Sequence, residues 1–339
     1  MGQIPAIETK NLAIGYNAKH RKMNCLNRQL NLKLYSGEVT SLLGSNGAGK
    51  STLLRTIAGF QPAIEGDIVI KGRNRATIGQ KELSQLIGVV LTEKSVAGTL
   101  KVSELVALGR HPYTGFFGRL RSHDHKIIRQ AMQRTGIEHK ADSYIAEISD
   151  GERQKVMIAK VLAQECPIIL LDEPTAFLDI TSRIELMILL RELAVAEKKS
   201  ILLSTHDIEL ALTLSDQLWL LKKHDGIACG APEDMVLDNT IGDYFGKENI
   251  GFDTLTGRLA YAANGEKKAY IESDGAKAYW LANAVKKLGY TLSETSDKFT
   301  LNIKWTSSDD YITVQFPDGK EGKAASVGEL SQIVKTQRL

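Results

Sequence analysis

The sequence of 339 residues predicts an α/β protein built on a parallel β-sheet, followed by a small α+β domain. The first part rests on a glycine-rich loop between a strand and a helix, and on two apolar strands that each end in polar side chains. Strands that alternate with helices form parallel sheets with helices on their faces. The second part rests on a change in composition after about Tyr244 and on a polar stretch, Gly246–Gly251, that is typical of a linker.

The glycine-rich loop has the sequence Gly44-Ser45-Asn46-Gly47-Ala48-Gly49-Lys50-Ser51-Thr52. It matches the G-x-x-x-x-G-K-[ST] pattern and lies between an apolar strand and a helix that stops at Gly59. Backbone N–H groups of such a loop converge on phosphate oxygens, and the helix N-terminus adds partial positive charge. We expect Lys50 to reach the β- and γ-phosphates and Ser51 to ligate Mg²⁺. The sequence therefore predicts a binding site for a nucleoside triphosphate.

Two further strands end in side chains that suit phosphate chemistry. A run of four apolar residues is followed by Asp172 and Glu173. Because ligand sites in open α/β sheets lie at the carboxyl ends of strands, we expect Asp172 to hold Mg²⁺ beside Ser51. Glu173 is placed to polarise an attacking water, which is the work of a general base. The strand Ser200–Ser204 leads to His206, for which a γ-phosphate contact is geometrically reasonable.

Composition excludes several classes of function. Lysine and arginine (43) nearly balance aspartate and glutamate (40), and a formal net charge of +3 is too small to predict nucleic-acid or membrane binding. No stretch approaches the ~20 apolar residues of a membrane span, and the start, Met1–Pro5, does not have the pattern of a secretory signal. Three cysteines without C-x-x-C spacing are expected to be buried free thiols. Work at a membrane would therefore require another chain that spans it.

The other elements of the first domain follow from local patterns. The sequence predicts further strands at Ile7–Tyr16, Gln29–Leu34, Gly66–Gly72 and Leu86–Leu91, and helices at Val102–Gly109, Lys126–Thr135, Arg153–Gln164 and Ser182–Glu197. Ser149 or Asp150 would cap the third of these helices, and the fourth is expected to be amphipathic. His123 and His125 lack the i, i+4 spacing of a helical metal pair, so we expect them to be solvated.

The stretch Gly109–Leu120 is rich in glycine and aromatic residues and is interrupted by Pro112. This composition predicts an exposed loop with apolar side chains, which would suit the docking of a partner. Phe116 and Phe117 are the expected contact residues of this surface.

The second domain, residues 252–339, is predicted to pair strands near Thr256–Ala262 and Lys268–Glu272 through a hairpin at Asn264-Gly265. A helix, a strand at Phe299–Trp305 with its partner at Asp310–Phe316, and a last helix that begins at Ser326 complete a β-β-α-β-β-α order. Its sequence contains no phosphate loop, metal-ligand cluster or nucleophile–base pair. We expect a regulatory or dimer-stabilising role, with a passive appendage as the alternative.

Residues 5 to about 235 resemble the ATP-binding cassette of ABC transporters. The resemblance implies a P-loop nucleoside-triphosphatase fold over residues 1–245, with a helical subdomain at about 96–165. The motifs that carry it are the Walker A loop Gly44–Thr52, the Walker B strand Ile168–Glu173, the signature stretch Ser149-Asp150-Gly151-Glu152, a D-loop at Phe177-Leu178-Asp179, a switch histidine at His206 and an adenine-stacking aromatic at Tyr16.

The family implies a homodimer of cassettes that holds two ATP molecules with Mg²⁺. In that arrangement Ser149 and Gly151 would contact the γ-phosphate bound by the other subunit, and Asp179 would belong to the same nucleotide site. Two departures stand out. Asp150 and Glu152 add negative charge where the signature usually reads L-S-G-G-Q. The strand that usually ends in a glutamine ends here in Thr92-Glu93, so that Thr92 or Glu93 would have to replace it.

The stretch Gly109–Gly115 is similar to the G-R-x-P-x-x-G segment of importer ATPases for ferric siderophores, haem and cobalamin. This resemblance implies an ATPase that drives uptake through a dimer of integral-membrane permease subunits, served indirectly by a periplasmic or surface substrate-binding protein. It implies a peripheral position on the cytoplasmic face of the inner (plasma) membrane and no nucleic-acid partner. The alternatives are a soluble non-transport ABC ATPase and a regulatory nucleotide-binding module.

Overall fold

The computed structural model describes residues 3–16, 24–91, 99–115, 118–247, 250–261, 267–295 and 301–337. The chain divides into two compact units, residues 1–238 and 239–339. The sequence places the boundary later, after residue 245. The division falls earlier because the short helix Thr240–Phe245 packs on the first strand of the second unit.

The strands of the first unit are β1 (Ile7–Tyr16), β2 (Asn24–Leu30), β3 (Lys33–Leu34), β4 (Val39–Leu43), β5 (Glu65–Ile70), β6 (Arg73–Asn74), β7 (Ile87–Val90), β8 (Ile168–Asp172), β9 (Ser200–Ser204), β10 (Gln217–Leu221) and β11 (Ile227–Gly230). Its helices are α1 (Lys50–Ala58), α2 (Gln80–Leu86), α3 (Val102–Ala107), α4 (Ser122–Arg134), α5 (Asp150–Ala163), α6 (Ile180–Glu197), α7 (Ile208–Leu214) and α8 (Pro232–Leu237). Short 3-10 helices cover Arg75–Thr77, Leu108–Tyr113, Glu138–Lys140 and Ile145–Glu147.

A six-stranded sheet with the order β11-β10-β4-β9-β8-β7 organises this unit. Its strands are parallel except for β11, which runs antiparallel to β10. The predicted α/β architecture is confirmed. Because β4, β9 and β8 are neighbours, the phosphate loop, His206 and the Asp172-Glu173 pair all follow strands that end at the same edge.

Side chains of the parallel strands alternate between two cores. Ile168 and Leu170 join a cluster with α1 and the antiparallel sheet of β1, β2, β3, β5 and β6. Ile169 and Leu171 join a second cluster with helices α3 to α6. Strand β8 is therefore covered on both faces, which explains its continuous run of apolar residues.

The predicted strand Gln29–Leu34 is wrong in its limits. The chain forms β2 up to Leu30 and resumes pairing only in β3, because Gln29 adopts a left-handed conformation with φ of 54°. Leu30, Leu32 and Leu34 are nevertheless all buried.

The prediction of an exposed loop at Gly109–Leu120 is wrong for its first part. Leu108–Tyr113 is a 3-10 helix in which Gly109, Arg110 and Pro112 are buried. A Cβ atom on Gly109 would lie 2.1 Å from the carbonyl oxygen of Lys160, so only glycine permits this packing against α5. Leu108 and Tyr113 remain exposed. Phe116 and Phe117 lie outside the described residues.

The prediction that the helix Ser182–Glu197, now α6, is amphipathic is wrong. Leu186, Leu190 and Leu193 are buried, while Ile180 and Ile184 on the opposite side are exposed. Its apolar residues therefore surround the helix. The expected solvation of His123 and His125 on α4 is confirmed.

The second unit contains α9 (Thr240–Phe245), β12 (Ile250–Asp253), β13 (Arg258–Tyr261), β14 (Lys268–Ser273), α10 (Gly275–Lys287), β15 (Thr291–Leu292), β16 (Leu301–Trp305), β17 (Ile312–Gln315), β18 (Glu321–Ala324) and α11 (Val327–Thr336). A five-stranded sheet of order β15-β14-β16-β17-β18 shares its core with α10 and α11. Side chains such as Leu281 and Leu330 meet Ile303 and Val314 there.

The predicted pairing of β16 with β17 is confirmed, and the structure shows it to be antiparallel; the cap of α11 by Ser326 is confirmed as well. The predicted hairpin is wrong, because β13 pairs with β12 whereas β14 lies parallel to β15 and β16. Its turn, Asn264-Gly265, and Phe299 lie outside the described residues. The expectation of buried cysteines holds only for Cys166, since Cys25 is half-buried and Cys229 is exposed.

Candidate nucleotide-binding site

The phosphate loop joins the end of β4 to the start of α1. Gly47 has φ of 76° and Gly49 has φ of 109°, conformations that side-chain-bearing residues rarely adopt. A Cβ atom on Gly49 would also lie 3.3 Å from Leu26 Cδ1. Gly47 and Gly49 are therefore required by the backbone that they form, and α1 begins immediately afterwards at Lys50.

Lys50 is buried at the mouth of this loop. Its Nζ donates to the carbonyl oxygen of Gly44 at 2.8 Å and lies 3.2 Å from His206 Nε2. Burial lowers the pKa of Lys50, and the nearby carboxylates of Glu173 and Asp172 oppose that shift. The five residues that the sequence assigns to phosphate and metal chemistry, Lys50, Ser51, Asp172, Glu173 and His206, are therefore brought together.

His206 lies between Lys50 and Glu173. Its Nε2 atom is 2.8 Å from Glu173 Oε1, closer than it is to Lys50. A single ring nitrogen cannot donate to the carboxylate and accept from the ammonium at once. The tautomer of His206 therefore decides which neighbour it binds, and proton transfer within this group changes that partner.

Ser51 and Asp172 form the oxygen-rich part of the site. The Ser51 hydroxyl donates to Asp172 Oδ1 at 3.0 Å, and the carboxylate is buried. Hydroxyl and carboxylate oxygens are the ligands that Mg²⁺ prefers. The chemistry of this donor pair fits a magnesium ion.

Ser204 is a site residue that the sequence reasoning missed. Its fully buried hydroxyl donates to Asp172 Oδ1 at 2.7 Å and accepts the backbone N–H of Glu173 at 2.8 Å. Glu173 itself has φ of 50°, in the left-handed region. Ser204 thus holds both acidic residues from the neighbouring strand. The available signal was a hydroxyl residue that directly follows the aliphatic run Ile201–Leu203 at the carboxyl end of the strand.

The end of β9 opens onto a cavity of about 630 Å³ lined in part by Glu173, Arg183 and His206. Asp207 follows His206 and caps α7 by accepting the N–H of Leu210 at 3.1 Å. The cap fixes the turn on which His206 is presented.

The signature stretch begins helix α5. Ser149 is its N-cap: its hydroxyl accepts the N–H of Glu152 at 3.2 Å and donates to the Glu152 carboxylate at 3.0 Å. Glu152 also accepts the N–H of Ser149 and pairs with Lys140 at 3.4 Å. The pKa of Glu152 is lowered chiefly by that backbone N–H. Asp150 pairs with Arg153 at 2.8 Å, so both extra acids have basic neighbours.

Tyr16 and Asp179 occupy the ends of their own elements. Tyr16 is the last residue of β1 and is 51% exposed. Asp179 caps α6, accepting the N–H of Ser182 at 2.8 Å, and this contact is the main reason for its lowered pKa. Ser149 and Asp179 each hydrogen-bond within the first turn of the helix that they cap, and Thr92 and Glu93 lie outside the described residues.

A Walker-type loop beside a parallel strand that ends in two acids defines a P-loop nucleoside triphosphatase of the cassette class. The chain belongs to the ABC transporter family as an ATP-binding and ATP-hydrolysing subunit. The family match itself, described as ABC transporter, spans residues 27–176.

Three relatives illustrate the likeness. An uncharacterized ABC transporter ATP-binding protein of Methanocaldococcus jannaschii is 39% identical over 265 residues, which are 78% of this chain and 90% of that protein. A probable siderophore transport system ATP-binding protein of Bacillus subtilis is 35% identical over 79% of this chain and 96% of its own length. The ferric enterobactin transport ATP-binding protein of Escherichia coli is 37% identical over 64% of this chain and 80% of its own.

Solved structures show the same fold. An inward-facing metal-chelate type ABC transporter aligns with a TM-score of 0.62 and 29% identity, over 71% of this chain and 89% of that one. A dimeric cassette in a post-hydrolysis state with ADP and phosphate aligns with a TM-score of 0.60 and 26% identity, over 67% and 98% respectively. Within the described ranges, no helix combines the length and apolar character needed to cross a membrane.

Proposed function

We propose that this ATPase powers the uptake of a metal chelate or corrinoid through separate permease subunits. The observation that carries the proposal is the assembled group of Lys50, Ser51, Asp172, Glu173 and His206, found in a chain whose relatives serve siderophore transport. Cobalamin remains within the proposed substrate class because a cobalamin import ATP-binding protein of Halobacterium salinarum is 35% identical over 66% of this chain.

In the proposed reaction Glu173 accepts a proton from the water that attacks the γ-phosphate. Its carboxylate is partly exposed on the cavity, so water can reach it. Lys50 neutralises charge on the β- and γ-phosphates, and His206 donates to the Glu173 carboxylate when its Nε2 atom carries the proton. General-base assistance of this kind contributes typically ~10²–10⁴-fold to the rate.

Ser51 and Asp172 would hold Mg²⁺, which supplies positive charge against the triphosphate. Two observations support this assignment. The Ser51 hydroxyl and the Asp172 carboxylate lie together, and Ser204 holds that carboxylate by a buried hydrogen bond. Tyr16 would stack on the adenine. Its exposed ring lies at the end of β1, a strand that shares its core with α1, the helix that follows the phosphate loop.

The dimer proposal assigns Ser149 and Gly151 to the γ-phosphate bound by the other copy. Ser149 currently donates its hydroxyl proton to Glu152, so contact with phosphate would require that proton to change partner. Lys140 and Arg153 offset the acids next to it, which explains how Asp150 and Glu152 are compatible with a triphosphate nearby. Asp179 would complete this interface from the start of α6.

Docking to the permease is proposed for the exposed part of the 3-10 helix, where Leu108 and Tyr113 face solvent. Arg110 is excluded from a direct contact because it is buried and paired. The chain would then lie at the cytoplasmic face of the membrane through this permease, with a substrate-binding protein acting on the other side.

The test is reconstitution in proteoliposomes with the permease encoded beside this chain. ATP-dependent uptake of a labelled ferric siderophore or cobalamin supports the proposal. ATP hydrolysis without any association with a permease would instead favour a soluble ABC ATPase. Binding of ATP without turnover, even with the permease, would favour a regulatory module.

A further inference from the structure

A bulged part of β2 lies directly behind the phosphate loop. The pairing of β1 with β2 is irregular around Ile14 and Gly15, and the adjacent residues Leu26 and Asn27 are both buried. Neighbouring residues of a regular strand point to opposite faces. The bulge therefore turns the side chain of Asn27, which is 2% exposed, toward the phosphate loop. Bulges near active sites often redirect a side chain in this way.

Asn27 uses both ends of its amide. Its Nδ2 donates to the carbonyl oxygen of Ala48 at 3.0 Å, and its Oδ1 accepts the N–H of Gly226 at 3.3 Å. Because the Gly226 N–H can only donate, it requires Oδ1 on its side and leaves Nδ2 for Ala48. The two contacts thus fix the orientation of the amide.

Gly226 belongs to the turn between β10 and β11, which is also tied to β2 through the N–H of His224 and the carbonyl of Leu26 at 3.2 Å. Asn27 therefore links this turn to the middle of the phosphate loop. Both β2 and the hairpin of β10 and β11 therefore support the phosphate loop through the side chain of Asn27.

The contact with Ala48 controls the direction of the next N–H group. The Ala48 carbonyl and the Gly49 N–H belong to one trans peptide, in which the two groups point in opposite directions. With the carbonyl held on Asn27, the N–H of Gly49 points away from β2. Successive N–H groups of such a loop form the anion-binding concavity, so the orientation of this peptide matters for phosphate.

We infer that Asn27 is a positioning residue for ATP: by holding the Ala48 carbonyl it aims the Gly49 N–H into the phosphate cradle. It does not touch the nucleotide. The inference depends on ATP binding by the loop and is independent of the transported substrate.

The test uses Asn27→Leu, which removes the donor at similar volume, and Asn27→Asp, which keeps an acceptor for Gly226 but opposes an oxygen to the Ala48 carbonyl. Asn27→Ser, too short to reach both partners, serves if either variant fails to fold. Equilibrium titration of the full chain with a fluorescent ATP analogue and with ATP gives Kd, and thermal unfolding without nucleotide gives Tm.

Asn31→Leu and Asn31→Asp are the matched controls. Asn31 is an exposed asparagine close by in the same hairpin. Its Oδ1 accepts the N–H of Asn11 at 2.8 Å and its Nδ2 donates to the carbonyl oxygen of Gln29 at 3.1 Å, so these hydrogen bonds stay within the hairpin. We expect the Asn27 variants to raise Kd about tenfold, equivalent to about 1.4 kcal/mol. The Asn31 variants should bind ATP with a Kd within about twofold of the wild-type value.

A purely structural role predicts a lower Tm with an unchanged Kd. A folded Asn27 variant with wild-type Kd therefore overturns the inference, whatever its Tm. Absence of ATP binding by the wild-type chain would overturn the nucleotide site itself, so the two failures are distinguishable.

Discussion

Ser204 bridges the two acids at the end of β8: its hydroxyl donates to Asp172 Oδ1 at 2.7 Å and accepts the N–H of Glu173 at 2.8 Å. Both contacts are made by a side chain from the neighbouring strand. The position of the proposed metal ligand and the backbone of the proposed base therefore depend on one buried hydroxyl.

Replacing Ser204 by alanine should reduce kcat about tenfold and destabilise the chain by about 1–3 kcal/mol, because a buried N–H and a buried carboxylate each lose a partner. Steady-state ATPase assays and urea unfolding measure the two effects. Ser41→Ala is the control, since Ser41 is also buried in the sheet and its hydroxyl bonds Ser215 at 2.6 Å. An equal loss of kcat in both variants would contradict the positioning role.

Glu173→Gln should retain ATP binding and lower turnover by roughly 10²–10⁴-fold, because the amide cannot accept the proton of the attacking water. A phosphate-release assay measures turnover, and size-exclusion chromatography with ATP measures assembly. We expect an ATP-bound dimer to accumulate. Turnover at the wild-type rate would remove Glu173 from the mechanism.

Arg110 should contribute strongly to the stability of the first unit. It donates to Asp124 at 2.8 Å, to the Ala163 carbonyl at 2.9 Å and to Glu165 at 2.7 Å, and its guanidinium lies 4.3 Å from the centre of the Tyr113 ring. Arg110→Met leaves these groups without their donor, so we expect a loss of about 3–5 kcal/mol in urea unfolding.

Arg129→Met is the control for Arg110, because the pair of Arg129 with Glu138 at 2.6 Å is exposed and screened by solvent, so it should contribute far less to stability. Similar losses in the two variants would show that burial of Arg110 does not strengthen its contacts.

Asp124 should make the first unit sensitive to acid. Its pKa is lowered, first by the N–H of Arg121 and also by the Arg110 guanidinium. A depressed folded-state pKa gives stability that is present above the unfolded value of about 3.9 and is lost as the pH falls through the folded value. The stability difference between wild type and Asp124→Asn should therefore shrink below about pH 4. A difference that is constant from pH 7 to pH 3 in chemical unfolding would contradict this origin.

Removal of the second unit should leave a folded cassette. A fragment of residues 1–238 retains the two apolar clusters of the first unit, so we expect it to be soluble and to bind ATP. If the second unit supports dimerisation, the ATPase rate of the fragment should fall at low protein concentration and recover at high concentration. The same concentration dependence in fragment and full chain would refute dimer support, and an insoluble fragment would refute the boundary.

Local sequence patterns were sufficient to predict a nucleotide site. The run Gly44–Thr52 requires its glycines for backbone reasons, and a buried strand that ends in Asp172 and Glu173 signals a site at the sheet edge. Those features lie within single stretches, so periodicity and motif spacing reveal them. The capping residue Ser149 was found in the same way.

Contacts between distant stretches were decided only by the tertiary structure. Arg110, expected in an exposed loop, is buried and pairs with Asp124 of α4 and with Glu165 in the turn after α5. The predicted hairpin at residues 264–265 is replaced by the β12–β13 pair and by the parallel pairing of β14 with β16. Strand partners depend on the packing of whole faces rather than on the turn residues alone.

The sequence by itself determined the class of chemistry and predicted the residues that would carry it, because a phosphate loop and an acidic strand end are local patterns of backbone and side chain. Only the tertiary structure decided what holds them. Ser204 meets Asp172 from 32 positions away, and Asn27 meets Ala48 from 21, through a bulge that interrupts the strand period. No pattern along one strand specifies a hydrogen bond to another, since that bond depends on how the sheets and loops pack together.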